Sequence, residues 1–213
     1  MGTTATPNSS NNSFTEVFER HKRNLGYVGI GLLVAIGGGW YVVRSNTIKE
    51  ERATKAYQEA LQVAMQGNAA LAQADLKKMS VRYKGTTAGT QGAMELAKLL
   101  YDDGKFEEGI EALKAAKPTD DTKYDVQMLM AAGYEGMGKH DEAAKAYEDA
   151  LKLARFDSDR DLAKASAARA YTNAGNLEAA VKLWTEIANN PDSPIQAEAK
   201  LRLGELTAKI MKA

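Results

Sequence analysis

Two histidines and no cysteine are all this chain offers for imidazole or thiolate chemistry. His21 lies beside a long apolar stretch and His140 in a predicted turn, so no Ser-His-Asp or Cys-His arrangement can be assembled around either. Ser80, Ser158 and Ser166 sit in no nucleophile motif that would activate a hydroxyl through a lysine. Asp157, Asp159 and Asp161 alternate as the opening of a calcium loop would. The position that needs glycine nevertheless holds Leu162, and the position that needs a bidentate glutamate holds Ala168. Capping and solvation account better for those aspartates. Gly37 to Gly39 is not followed in register by the lysine and threonine of a phosphate loop. The chain is therefore read as having no catalytic residue, no metal, no cofactor and no small-molecule substrate. Without cysteine, an oxidising compartment poses it no hazard. With 28 basic against 28 acidic residues, it also lacks the electrostatic footprint of a nucleic-acid binder.

What remains is recognition by surface, and the elements that would carry it are helices. Ala, Leu, Lys and Glu dominate beyond residue 44, and Gly67, Gly104, Gly138 and Gly175 follow at intervals of 37, 34 and 37 residues. A period near 34 is that of two-helix solenoids, in which glycine ends one helix and permits a turn into the next. The clearest unit places Met130, Ala131 and Tyr134 before Gly138, with Ala143, Tyr147 and Ala150 after it. Ala167, Ala168, Tyr171, Gly175, Ala180 and Trp184 repeat that pattern downstream. Upstream the matching set is Leu96, Ala97, Leu100, Gly104, Phe106, Gly109 and Leu113. These offsets resemble the tetratricopeptide repeat. Small residues let helices approach closely while tyrosines fill the remaining gaps. Thr47 to Met65 with Ala69 to Arg82 form a degenerate first hairpin, and Ser193 to Lys212 forms a partnerless capping helix. Asn68, Asp141, Asp161 and Asn176 are the expected N-terminal caps.

The array is preceded by Asn24 to Val43, twenty residues without a charge, which as a helix would span roughly 30 Å, the hydrocarbon thickness of a bilayer. The predicted organisation is a tail and basic lead-in over 1–23, a transmembrane helix over 24–43 and a repeat domain over 44–213. The first 13 residues are expected to be a disordered tail and Phe14 to Arg23 a short amphipathic segment. No small-residue cleavage site follows Trp40 and Tyr41, so an uncleaved anchor is expected, with those aromatics at the interface. The compact cluster Arg20, Lys22 and Arg23 predicts an amino terminus in the cytoplasm and the repeats outside it. Gly31, Ala35 and Gly39 recur every fourth residue, a face on which a second membrane helix could pack closely.

Within this all-α architecture, the stretch Ala93 to Leu113 and the turn Asp192-Ser193-Pro194 resemble the bacterial ancillary Sec-translocon subunit family. Its members are single-pass inner-membrane proteins with a periplasmic tetratricopeptide-like domain. The resemblance implies association with the translocon and with periplasmic chaperones, and a concave face lined by the first helix of each hairpin. It places Met94, Lys98, Tyr101, Met128, Glu135, Arg169 and Asn173 on that face, where mixed methionine, aromatic and charged groups could hold a peptide or partner domain. The expected function is a membrane-anchored scaffold that recruits protein partners. The alternative is a permanent structural subunit of a respiratory or photosynthetic complex, held through its membrane helix and repeats.

Overall fold

The computed structural model describes the backbone of residues 10–212 and the side chains of Tyr27 and residues 32–212. Every regular element among them is a helix: α1 (Ser10–Met65), α2 (Ala69–Arg82), α3 (Thr87–Asp102), α4 (Phe106–Ala115), α5 (Lys123–Gly136), α6 (His140–Leu153), α7 (Asp157–Ala174), α8 (Leu177–Ala188) and α9 (Gln196–Ile210). The chain divides into two units, Met1–Ile48 and Lys49–Ala213.

In the first unit α1 takes in residues 10–13, which composition assigned to the tail. Serine and asparagine are also the residue types that favour the start of a helix, and here that preference prevails. Residues 1–9, and the side chains of the amphipathic segment Phe14 to Arg23, lie outside the described residues. All side chains from Leu32 to Val43 are exposed, among them Leu33, Val34, Ile36, Trp40 and Tyr41. Among the described residues no helix is long and apolar enough to cross a membrane, and positions 24–26 and 28–31 of the predicted span fall outside them. Ala35 is exposed and the space beside Gly39 is open, while the side of α1 at Gly31 is likewise outside the description.

The second unit is the hairpin array. The end of α1 pairs with α2, α3 with α4, α5 with α6, and α7 with α8; Gly67, Gly104, Gly138 and Gly175 turn the chain with φ between 71° and 83°. A side chain is strained in that left-handed region, which is why glycine holds the four positions read from the sequence. A fifth such glycine, Gly85 (φ 81°), lies between α2 and α3. Ala131, Ala143, Ala150, Ala167, Ala168 and Ala180 are fully buried, and all of them but Ala150 join Tyr147, Tyr171 and Trp184 in one continuous core. Smaller clusters join Ala60 of α1 to Leu76, Met79, Leu96 and Leu100, and Ala97 to Leu113 and Val126. Because Ala143 has no exposed surface, Ala143→Leu is expected to overpack the α5–α6 hairpin and lower stability by about 1 to 3 kcal/mol, measured as a denaturant midpoint shift.

The caps divide into those the sequence pattern locates and those it does not. Asn68 accepts the Leu71 amide and Asn176 the Ala179 amide, each at 3.2 Å. Asp141 is instead the second residue of α6, whose cap is Lys139, and Asp161 lies inside α7, which begins four residues earlier. Placing the helix start two residues late, at Asp141, or five residues late, at Asp161, moves a carboxylate from the cap into the helix. The carboxy-terminal helix starts at Gln196 and not at Ser193, because the residue before a proline is pushed out of helical geometry.

At α3 the cap is shared by residues far apart in sequence. Thr86 Oγ1 accepts the Gly89 amide at 2.9 Å, while Glu50 of α1 accepts the Thr87 and Ala88 amides at 2.9 and 2.8 Å. Three of the helix's otherwise unpaired donors are thereby satisfied, two of them by a charged acceptor at the positive end of the helix dipole. Lys49 Nζ donates to the Lys84 carbonyl at 2.7 Å beside them. Glu50→Ala is expected to cost about 1 to 2 kcal/mol, and Glu50→Gln less, since the amide retains one acceptor. Thermal melting of the two variants should rank them in that order.

Candidate interaction surface

Met94, Lys98 and Tyr101 recur at helical spacing on α3, Met128 and Glu135 lie two turns apart on α5, and Arg169 and Asn173 one turn apart on α7. The structure separates these seven into two groups. Met94 and Tyr101 pack on the cluster of Ala97, Leu113 and Val126, and Met128 packs on the main core. The Tyr101 hydroxyl donates to the Leu129 carbonyl at 3.2 Å, and its ring lies 5.5 Å from that of Phe106. It occupies space left by the absent side chains of Gly109 and Gly133. Burial raises its phenol far above the ordinary range, with Tyr134 contributing. These three residues seam hairpin to hairpin, because a stripe at helical spacing has the same pattern whether it meets solvent or the next repeat.

Lys98, Glu135, Arg169 and Asn173 are the polar members; Lys98 and Asn173 are exposed, while Glu135 and Arg169 are half-buried like the first three. Lys98 is exposed and pairs with Glu95 at 3.3 Å. Glu135 accepts from the Tyr147 hydroxyl at 2.7 Å. Burial, then the hydrogen bond and charge of Glu135, hold the Tyr147 phenol well above its usual range, so it remains a donor. Arg169 donates to Ser166 Oγ at 3.1 Å and approaches Glu198 of α9 at 3.5 Å.

Asn173 and Arg169 line a cleft of about 380 Å³ shared with α8 and α9. Trp184 of α8 and Leu206 of α9, both buried, lie beneath it, and Arg202 and Lys209 of α9 supply further cations. Arg202 pairs with Glu205 at 3.0 Å and with Glu198 at 3.8 Å, so acid and base alternate from Arg169 through Glu198 and Arg202 to Glu205. Exposed pairs of this kind add little stability. Their effect is to hold donors and acceptors in fixed positions at the edge of an apolar surface, which suits recognition of a polypeptide. The sequence pattern marks α9 only as a cap and gives no expectation for Arg202, Glu198 or Lys209. The available signal was the run of charges at three- and four-residue spacing along it.

No group of three histidine, aspartate or glutamate side chains able to hold a metal occurs among the described residues. Asp161 is buried in α7, and its Oδ2 has no hydrogen-bond partner among them.

Compared with known proteins, residues 19–131 match the family model described as a tetratricopeptide repeat-like domain. No curated protein matches the chain. Among solved structures, the chain is similar to the nearly identical TPR-like repeats of a Podosopora anserina kinesin light chain. The two share 16% identity and a TM-score of 0.60, over 76% of this chain and 89% of that one. It is similar also to a single-residue variant of that protein, at 16% identity and a TM-score of 0.59 over 76% and 88% of the respective chains. At such identity the likeness is one of fold alone.

Proposed function

Because this chain belongs to the tetratricopeptide repeat-like domain family, we propose that it is a protein-interaction scaffold whose docking surface is the polar face of α3, α5 and α7 together with the α7–α9 cleft. The observation that carries the reading is the alternating Arg169, Glu198, Arg202 and Glu205 set beside Trp184 and Asn173. Such a surface offers oriented hydrogen bonds around an apolar base and no chemistry. The partner is a polypeptide, and catalysis has no part in the function.

The scaffold is tethered to a bacterial inner membrane by the segment 24–43, with its amino terminus in the cytoplasm and its repeats in the periplasm. Two observations support the tether: the uncharged run in the sequence and the consecutive exposure of Leu32 to Val43 on α1. Apolar side chains left open over so long a stretch call for lipid or a second apolar surface. By its resemblance to the ancillary translocon subunits, the scaffold gathers periplasmic chaperones or emerging clients at the translocon. The small-residue positions Gly31, Ala35 and Gly39 favour a second reading, a permanent subunit of a larger membrane complex.

Gentle-detergent purification of the full chain distinguishes the two. Substoichiometric translocon components and chaperones are expected, and a fixed ratio to one respiratory or photosynthetic complex would support the second reading. Protease added to spheroplasts should digest the repeat domain. Protection until the inner membrane is broken would overturn the orientation.

A further inference from the structure

The second helices of the first two hairpins, α2 and α4, both lie against α3, and between them is a groove of about 560 Å³. Its floor is apolar, made by Leu96 and Leu100 of α3. Its walls are largely alanine, including Ala70 and Ala74 on α2 and Ala112 and Ala115 on α4. The rims differ in sign. Lys77 and Lys84 stand on the α2 side and Glu108 and Glu111 on the α4 side; all four are exposed, and none enters an ion pair among the described residues. This groove is separate from the polar face of α3, α5 and α7 and does not depend on the function proposed for that face.

We propose that the α2–α4 groove binds an amphipathic helix of a partner protein, one whose apolar stripe is flanked by acidic residues along one edge and basic residues along the other. Three features select that occupant. The walls are helices whose backbone groups are already paired, so an extended peptide laid here would bury amides with no acceptors, whereas a helix satisfies its own. Alanine walls leave room for a helix backbone to settle close to the floor. The lining residues on α2 run from Ala70 to Val81, which at 1.5 Å per residue is roughly 17 Å, the length of about three helical turns. The opposed rims then fix direction. Turned end for end, the same helix would set its acidic edge against Glu108 and Glu111 and its basic edge against Lys77 and Lys84.

The test uses the full chain in mild detergent and a synthetic helical peptide of about 18 residues. The peptide has a leucine and alanine stripe, glutamates along one edge, lysines along the other and a fluorophore at its amino terminus. Saturable binding by anisotropy is expected. Ala74→Phe, which fills the groove from an exposed position, should abolish it. Lys77→Glu with Lys84→Glu should weaken it about tenfold. Adding Glu108→Lys and Glu111→Lys to that pair should restore affinity with the peptide reversed, read as a changed distance from the fluorophore to an acceptor dye on α2. Melting curves establish that each variant is folded, and Ala115→Phe replaces Ala74→Phe if the latter is not. Absence of saturable binding, or binding indifferent to both the filled groove and the reversed rim, would overturn the proposal. So would concentration-dependent self-association without peptide that Ala74→Phe abolishes, since the occupant would then be a second copy of the chain.

Discussion

Trp184→Ala is expected to destabilise the repeat domain by about 3 to 5 kcal/mol, enough to unfold much of a marginally stable array. Among the described residues the indole is the largest fully buried side chain, 1% exposed, and belongs to the core that joins α5 through α9. Replacing it removes the transfer free energy of a large aromatic and leaves a cavity that rigid neighbouring helices cannot close. Trp184 also lies beneath the α7–α9 cleft, so partner binding should fall together with stability. Trp184→Phe should recover most of the melting temperature and, because the buried ring does not reach the partner, most of the binding. A loss below about 1 kcal/mol for the alanine variant would mean that the site collapses freely and the cleft has no fixed base.

The second large effect reverses an ordinary expectation. Glycine inside a helix normally costs about 1 kcal/mol relative to alanine, so Gly→Ala should stabilise. That is the expected outcome at Gly204 in α9, where an added Cβ meets open space. At Gly133 in α5 the same Cβ would collide with the hydroxyl and ring of Tyr101 and lie 2.8 Å from Ile110 Cγ1. Tyr101 cannot retreat, because its hydroxyl is held by the Leu129 carbonyl and its ring already fills the space over Gly109. Gly133→Ala should therefore cost about 1 to 3 kcal/mol net of the propensity gain. Gly133→Ala combined with Tyr101→Phe should recover part of that loss by removing the oxygen. Equal melting temperatures for the Gly133 and Gly204 variants would show that α3 and α5 do not pack as described.

Much of the fold could be read from the residues because its strongest constraints are local. A chain can turn with positive φ cheaply only at glycine, so Gly67, Gly104, Gly138 and Gly175 marked the hairpins. Alanines that must lie between close helices marked the packing faces. The site was less legible. Met94, Tyr101 and Met128 share the spacing of an open face with Lys98, Glu135, Arg169 and Asn173, and only packing against the neighbouring hairpin distinguishes seam from surface. The Glu50 cap had no local signal, since its acceptor and donors are 37 and 38 residues apart. The α7–α9 cleft depends on Arg169 meeting Glu198, a contact across 29 residues that no periodicity encodes.

This repeat domain is proposed to hold a protein on the polar face of its first helices and the adjoining cleft. Photo-crosslinking in native membranes tests it most directly, with a benzophenone side chain placed singly at Asn173, at Lys98, or at the exposed control Lys145 on α6. Discrete crosslinked partners are expected from Asn173 and Lys98, lost when Arg169→Glu and Arg202→Glu are introduced together, and none from Lys145. Equal crosslinking from all three positions, or crosslinks from Asn173 that persist after both charge reversals, would contradict it.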